Sequence, residues 1–373
     1  MKEVIVSPTL PEVTARVQDG PIPSIGPDEI LVKVVIAASN PKDYRHLYIT
    51  QKSVNSGDDV AGYVSSIGKD VKTTGEFRIG DRVAGFHKML LPGGAYAEYA
   101  VVPAHTAFII PDNILFEEAS TIPLTILAAA LPLFRRQNLP APWIGRSKNA
   151  EPLPLIVYGA SSALGTFAIK LALLANIHPI IAICGATKSG LTSLLKSELG
   201  DTIVDYRPGV DAMKTAVKEA LNGLKSYHAL DAISENDSWI PISQLLSPGG
   251  HLSVVQGGPP DKYSKPSIPT EVNIGYTYVG SAHYGAFNSS MLNQPADKDS
   301  VVKDIDFAYV LMRYVARELA NGNLSGHPWE VISGGLEGVE SGLRKLQHGE
   351  AKGVKYIYRI AETRGVTSES DTL

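Results

Sequence analysis

Residues 155–175 read as a short buried strand, a turn of small residues and an apolar helix in direct succession, and no other stretch restricts the fold as much. Leu155–Tyr158 has the apolar run of a buried strand, Gly159-Ala160-Ser161-Ser162-Ala163-Leu164-Gly165 forms the turn, and a helix is predicted over Thr166–Ala175. The alternation then repeats. Strands are predicted at Pro179–Cys184, Thr202–Asp205, Ala229–Ile233 and His251–Val255, with helices at Leu191–Leu199, Ala212–Leu221 and Pro241–Leu246 between them. Repeated strand and helix with apolar, β-branched strands implies an α/β fold with a doubly wound parallel sheet.

The turn has the composition of a dinucleotide cradle. Gly159 permits a tight turn, Gly165 lets the helix pack closely on the strand, and small residues from Ala160 to Ala163 let backbone approach a pyrophosphate. The N–H groups of Ser161, Ser162, Ala163 and Leu164 open the helix, where an anion is favoured, and both serines add hydroxyl donors. The other reading is a plain strand-to-helix turn with no nucleotide. The next strand ends at Cys184 and is followed by Gly185-Ala186-Thr187-Lys188-Ser189, which lacks a carboxylate for a ribose hydroxyl and carries a lysine suited to a 2′-phosphate. That favours NADPH, with Gly185, Thr187 and Lys188 as candidate contacts and Tyr206 and Arg207 completing the pocket. Lys188 is otherwise a solvated lysine at a helix start, and Tyr206 a surface tyrosine.

Elsewhere the pattern differs. From Glu29 to Val102 short strands at Ile30–Ile36, Asp59–Ile67, Arg82–Phe86 and Tyr96–Val102 are split by glycines, which suggests a β-rich domain. After Asn113 come an apolar helical stretch, Ile122–Phe134, and a Pro-rich loop from Asn138 to Pro154. The last part has helices at Val301–Asn321 and Leu336–His348, a strand at Gly353–Ile360, and a polar tail from about 362. The 373 residues exceed what one core organises, so two domains are expected. A 44% hydrophobic and 19% charged composition excludes global disorder, and a net charge of −4 gives no basic field for nucleic acid or anionic lipid. The N-terminal residues lack a signal-peptide pattern, and no apolar run reaches the roughly 20 residues of a membrane span, so a cytoplasmic protein with neither membrane nor nucleic acid as partner is expected. A single cysteine, Cys184, rules out an intramolecular disulfide and a multi-cysteine metal site.

Several motifs in order carry a resemblance: Asn40-Pro41-Lys42-Asp43, Gly57-Asp58-Asp59-Val60-Ala61-Gly62, Gly80-Asp81-Arg82-Val83, Gly94-Ala95-Tyr96-Ala97-Glu98-Tyr99, the turn at Gly159–Gly165, and Gly349 to Tyr358. With these the chain resembles the zinc-independent branch of the medium-chain dehydrogenase/reductase superfamily, among its quinone oxidoreductases and the trans-acting enoyl reductases of fungal polyketide pathways. The resemblance implies a GroES-like β domain (residues 1–127 and 287–373) interrupted by a Rossmann NADPH-binding domain (128–286), with the active site in the cleft between them. It implies an NADPH-dependent reductase of an activated C=C bond, acting on a small or carrier-bound enoyl substrate of a polyketide synthase. The alternatives are a quinone or small-enal oxidoreductase, or an NADPH-binding partner protein with impaired turnover.

The resemblance also implies residue roles. Zinc-dependent relatives have cysteine at Asn40 and a His-Glu pair at Asp58-Asp59, so no metal is expected here. Pro41, Lys42, Asp43 and Tyr44 border the nicotinamide and its ribose; for Asn40 and Asp43 the equal alternative is an Asx-type lock on the loop. Tyr44 and Arg45 are catalytic candidates, Arg45 standing where lysine is usual, and Tyr48 is a candidate proton donor or carbonyl partner. Val255 and Lys355 are further cofactor contacts, Lys355 being otherwise a solvent-facing strand lysine. Ala128 replaces the family's threonine, so either Thr125, one helical turn earlier, substitutes for it or the donor is missing. Ala128, Gly280 and His283 are assigned to the substrate side.

Overall fold

A computed structural model describes residues 1–147, 149–185, 189–259, 261–285 and 298–366. In chain order the strands are β1 (Lys2–Ser7), β2 (Thr14–Asp19), β3 (Glu29–Ala38), β4 (Asp59–Ile67), β5 (Arg82–Phe86), β6 (Tyr99–Pro103), β7 (Ala107–Ile109), β8 (Leu155–Tyr158), β9 (Ile180–Cys184), β10 (Thr202–Asp205), β11 (His228–Asp231), β12 (His251–Val254), β13 (Asn273–Tyr276), β14 (Trp329–Val331) and β15 (Lys355–Arg359). The chain forms two compact units, Met1–Leu124 with Ile305–Leu373, and Thr125–Asp304. The expected return to the first domain at residue 287 falls among residues outside those described, and the second unit runs on to Asp304.

In the first unit a seven-stranded sheet has the order β14-β15-β3-β4-β5-β7, with β6 also on β3, and β1 pairs with β2. The C-terminal strand β15 lies antiparallel to β3, Ile357 opposite Ala38, so both ends of the sequence build this sheet. Its core contains Tyr96, Tyr356, Tyr358 and Leu47, all nearly inaccessible. A helix over Lys42–Thr50, which the pattern of apolar residues does not announce, follows Pro41. Proline with φ −56° is pre-organised for a helix start, and Gln51 at φ 54° ends the helix in the left-handed region.

The second unit holds a six-stranded sheet, β10-β9-β8-β11-β12-β13, in which every pairing is parallel. Numbered from β8, this is the order 3-2-1-4-5-6 of dinucleotide-binding sheets, with its reversal point between β8 and β11. The strands are short because both faces are covered; β9 is buried at all five positions. The α/β fold class expected above is the one observed. One helix differs: in place of Leu191–Leu199 there are two short turns, Ser189–Thr192 and Ser197–Leu199. The carboxylate of Asp201 accepts from the Lys196 N–H at 2.9 Å, which starts the second turn apart from the first. Among the described residues no helix is long and apolar enough to cross a membrane.

Candidate functional site

The carboxyl ends of the parallel strands converge on the turn after β8. Gly159 has φ +73°, and a Cβ there would lie 2.4 Å from the Ile233 side chain, just beyond β11. A Cβ on Gly165 would lie 2.4 Å from the Gly159 carbonyl oxygen, so only glycine lets the helix Ala163–Leu174 start this close to the turn. Ser162 caps that helix, its Oγ accepting from the Gly165 N–H at 3.0 Å. Ala160 is buried, whereas Ser161, Ser162, Ala163 and Leu164 are half-buried at the mouth of the turn. A side chain at either glycine would strike the strand-turn-helix junction itself, and the half-buried N–H groups that open the helix fit a dinucleotide pyrophosphate.

Neighbouring strand ends complete the surroundings. After β9, Gly185 would place a Cβ 3.3 Å from the Tyr206 hydroxyl, and the Tyr206 ring lies 5.8 Å from that of Tyr158. Tyr206 is 43% exposed, so one face is available to a ligand. Arg207 is held by Asp205 through contacts of 2.6–3.1 Å, which directs its guanidinium to that carboxylate. Val255 follows β12, and its N–H donates to Ser234 Oγ at 3.0 Å. Asp231, which the sequence reading passes over, organises this corner: it accepts from the N–H groups of Ile233 and Ser234 and from the Ser238 hydroxyl, and burial lifts its carboxyl above the usual range. An acidic residue ending an apolar strand was the available signal. Thr187 and Lys188 lie outside the described residues.

Thr125 and Ala128 are both buried in the helix Pro123–Ala130. Gly280 sits in the turn Val279–Ala282, where a Cβ would meet the Tyr278 ring, and His283 is buried just after it. Ser281 in the same turn donates to Asp304 at 2.7 Å, and Asp304 is also paired with Arg135 and Arg136.

In the first unit the residues expected beside the nicotinamide form a buried charged network. Asn40 donates its backbone N–H to Asp43 Oδ2 at 2.9 Å and its side-chain amide to Asp59 Oδ2 at 2.8 Å, the loop-locking alternative of the two given above. Asp43 Oδ2 also accepts from the Tyr96 hydroxyl at 2.5 Å; the same hydroxyl oxygen lies 2.9 Å from Ser39 Oγ, which is bonded to Tyr358. The Lys42 ammonium has three acceptors around it: Ser56 O at 2.6 Å, Asp43 Oδ1 at 2.8 Å, and Asp58 Oδ2. The Lys42 ammonium thus donates to one backbone carbonyl and is flanked by two buried carboxyl groups. Pro41 is exposed at the start of this helix.

Lys355 is not the solvent-facing strand lysine of the second alternative: it is 4% exposed, with Nζ 2.5 Å from Asp59 Oδ2 and 3.2 Å from Thr121 O. Asp59 Oδ1 accepts from the Leu124 N–H at 2.7 Å. The Tyr48 hydroxyl donates to Thr9 O at 2.8 Å. Tyr44 and Arg45 stay together, Arg45 Nε donating to the Tyr44 hydroxyl at 3.0 Å. Burial outweighs the attraction of Lys42 and pushes Asp58 up to about 8, while burial lowers His46 to about 3 and His87 to about 4.

The family model of the alcohol dehydrogenase GroES-like domain matches residues 26–112. The chain is 35% identical over 342 residues to the trans-enoyl reductase fsr4 of Gibberella fujikuroi, covering 91% of this chain and 92% of that one. The chain belongs to the trans-enoyl reductase family, within the medium-chain dehydrogenase/reductase superfamily. Another member, the trans-enoyl reductase resD of Aspergillus sclerotiorum, is 30% identical, covering 96% of this chain and all of the relative. Among solved structures, a protein described as a zinc-dependent alcohol dehydrogenase from Rhizobium etli matches with TM-score 0.74 at 21% identity, covering 96% of this chain and 98% of that one. The CurK enoyl reductase matches with TM-score 0.65 at 18% identity, covering 95% and 98%. At these identities both report the shared fold. Reductases of this superfamily use nicotinamide cofactors, and the glycine cradle after β8 is the part of this trans-enoyl reductase family member that fits one.

Proposed function

We propose that the chain is an NADPH-dependent reductase of a C=C bond conjugated to a carbonyl, acting in trans on enoyl intermediates of a fungal polyketide-type synthase. The observation that carries this is the Gly159–Gly165 cradle at the carboxyl end of β8, in a chain 35% identical to a trans-enoyl reductase. When bound, the nicotinamide supplies hydride for the β-carbon of the substrate. The chain's task is then to hold the dinucleotide, orient the enoyl group and stabilise developing charge on the carbonyl oxygen. The N-terminus of the helix Ala163–Leu174 is offered to the pyrophosphate and Tyr206 to the adenosine end. The Arg45 guanidinium and Tyr44 hydroxyl, bonded together, are donors suited to an oxyanion. Thr125 is the remaining hydroxyl candidate near Ala128.

A zinc-independent reaction is supported by the charges themselves: Asp58 and Asp59 already have ammonium partners in Lys42 and Lys355. The preference for NADPH is supported by the absence of a carboxylate at the end of β9, where Cys184 and Gly185 stand. Lys188→Ala should then weaken NADPH binding more than NADH binding, and equal losses would remove the phosphate role.

Steady-state rates test the substrate class. An α,β-unsaturated acyl thioester should turn over at least about tenfold faster in kcat/KM than a free quinone or a small enal. Faster turnover of free quinones would replace the substrate class. NADPH binding without turnover of any acceptor would assign a functional loss to Ala128.

A further inference from the structure

We propose that Lys42 is a positioning residue for the reductase reaction, clamping the first turn of the helix Lys42–Thr50, and with it Tyr44 and Arg45, to the segment Ser56–Asp59. The inference rests on the proposed reductase function for its catalytic meaning and on geometry for the clamp. The clamp is a closed circuit: Lys42 reaches Ser56 O and the carboxylate of Asp58 on one side and Asp43 on its own helix. Asp43 is held in turn by the Tyr96 hydroxyl. Gly57, between Ser56 and Asp58, lies against the Tyr96 ring so closely that a Cβ would be 2.7 Å from it. The ring and the ammonium therefore bind the same two segments from two directions.

The partners are buried in a way that makes the clamp stiff. Asp43 and Asp58 are fully buried, and the Lys42 side chain is 11% exposed. Lys42 is the shared cationic partner of Asp43 and Asp58, so any path that swings it outward leaves two buried carboxyl groups without that partner, which is unfavourable. Tyr44 and Arg45 are the next two residues of the helix, and their mutual bond of 3.0 Å moves with its first turn. The adjacent carboxylate repeats the arrangement. Asp59, with Lys355 as its cation, accepts from the N–H of Leu124 in the helix Pro123–Ala130, which carries Thr125 and Ala128. Two consecutive aspartates thus each fix the start of one helix bearing candidate site residues, and Lys42 is the cation for the first.

The test uses the full chain with and without NADPH and compares wild type, Lys42→Met and Lys42→Met/Asp58→Asn. The single variant removes the shared partner of two buried carboxyl groups, Asp43 and Asp58, and is expected to lower the urea midpoint. The double variant removes one of those groups along with that partner, recovers most of the midpoint and keeps the fold measurable. In the double variant, amide hydrogen exchange in the helix Lys42–Thr50 should quicken by about tenfold or more, with the helix Val339–Gln347 unchanged. Its NADPH Kd should stay within about threefold of wild type while kcat falls by about tenfold to a hundredfold, as expected for misplaced donors. Unchanged exchange in the helix would overturn the clamp. An NADPH Kd raised about tenfold with kcat preserved would make Lys42 a cofactor ligand and overturn the proposal as well. Were wild type to turn over no enoyl substrate, the reductase reading would fall, and the exchange measurement would still decide the clamp.

Discussion

The glycine turn after β8 and the charged network around Asp58 and Asp59 solve opposite problems. At the turn the chain packs closely: at Gly159 and Gly165 any side chain would strike Ile233 or the backbone, and the groups left facing outward are N–H groups at a helix start, where an anion is favoured. Around the two aspartates it gathers charge, setting two ammonium groups among three buried carboxyl groups, those of Asp43, Asp58 and Asp59. The first region is therefore sensitive to atoms added and the second to charges removed. That distinction separates residues that meet a ligand from residues that hold others in place.

The largest effect is expected in the charged region. Lys355→Met leaves Asp59 buried with only Asn40 and Leu124 as donors, and should lower stability by about 3–5 kcal/mol in urea denaturation. Asp59→Asn added to it should recover much of that loss; additive losses would mean the ion pair is not what matters. At the turn, Gly165→Ala should destabilise by about 1–3 kcal/mol through overpacking against the Gly159 carbonyl, with a clear loss of NADPH affinity by calorimetry. If NADPH affinity were unchanged, the turn would be a structural junction only.

A smaller effect separates the regions by pH. Asp58, pushed up to about 8 by burial, holds its proton in the folded chain at pH values where the unfolded chain has released it. Its contribution to stability is fully present below about pH 4 and is lost as pH rises towards 8, by at most about 1.4 kcal/mol per pH unit. Asp58→Asn should therefore gain stability relative to wild type from pH 6 to 8, read from urea midpoints across that range; a constant difference would place the Asp58 proton elsewhere. The smallest effect belongs to Tyr48→Phe, which removes one partly exposed bond to Thr9 O. It should cost about 0.5–1.5 kcal/mol and leave kcat unchanged, whereas a large fall in kcat would restore Tyr48 as a proton donor.

What the sequence revealed follows the same division. The cradle was legible because its cause is local: a strand, two glycines six residues apart and a helix cap all lie within a dozen positions. The charged network was not, because its partners are distant. Lys355 meets Asp59 across 296 positions and Tyr96 meets Asp43 across 53, so neither periodicity nor motif spacing pairs them. Sequence spacing does not pair Lys42 with Asp43 and Asp58 or Lys355 with Asp59, and the fold brings them together. The helix Lys42–Thr50 escaped notice for a related reason, since a polar first turn is held by Asn40, Asp43 and Tyr96 more than by an apolar stripe. The strands β13 and β14 are four- and three-residue edges of their sheets, too short to show a period.

The central claim, hydride addition to an activated double bond by a chain that holds its cofactor at the Gly159–Gly165 turn, is tested most directly by isotope transfer. The protein is incubated with NADPH carrying deuterium at the transferable position of the nicotinamide and with an α,β-unsaturated acyl thioester, and the product is analysed by mass spectrometry and NMR. The account predicts a saturated thioester with deuterium on the β-carbon and one NADPH oxidised for each product formed. Deuterium on the carbonyl carbon, or no transfer to the thioester despite bound NADPH, would contradict it.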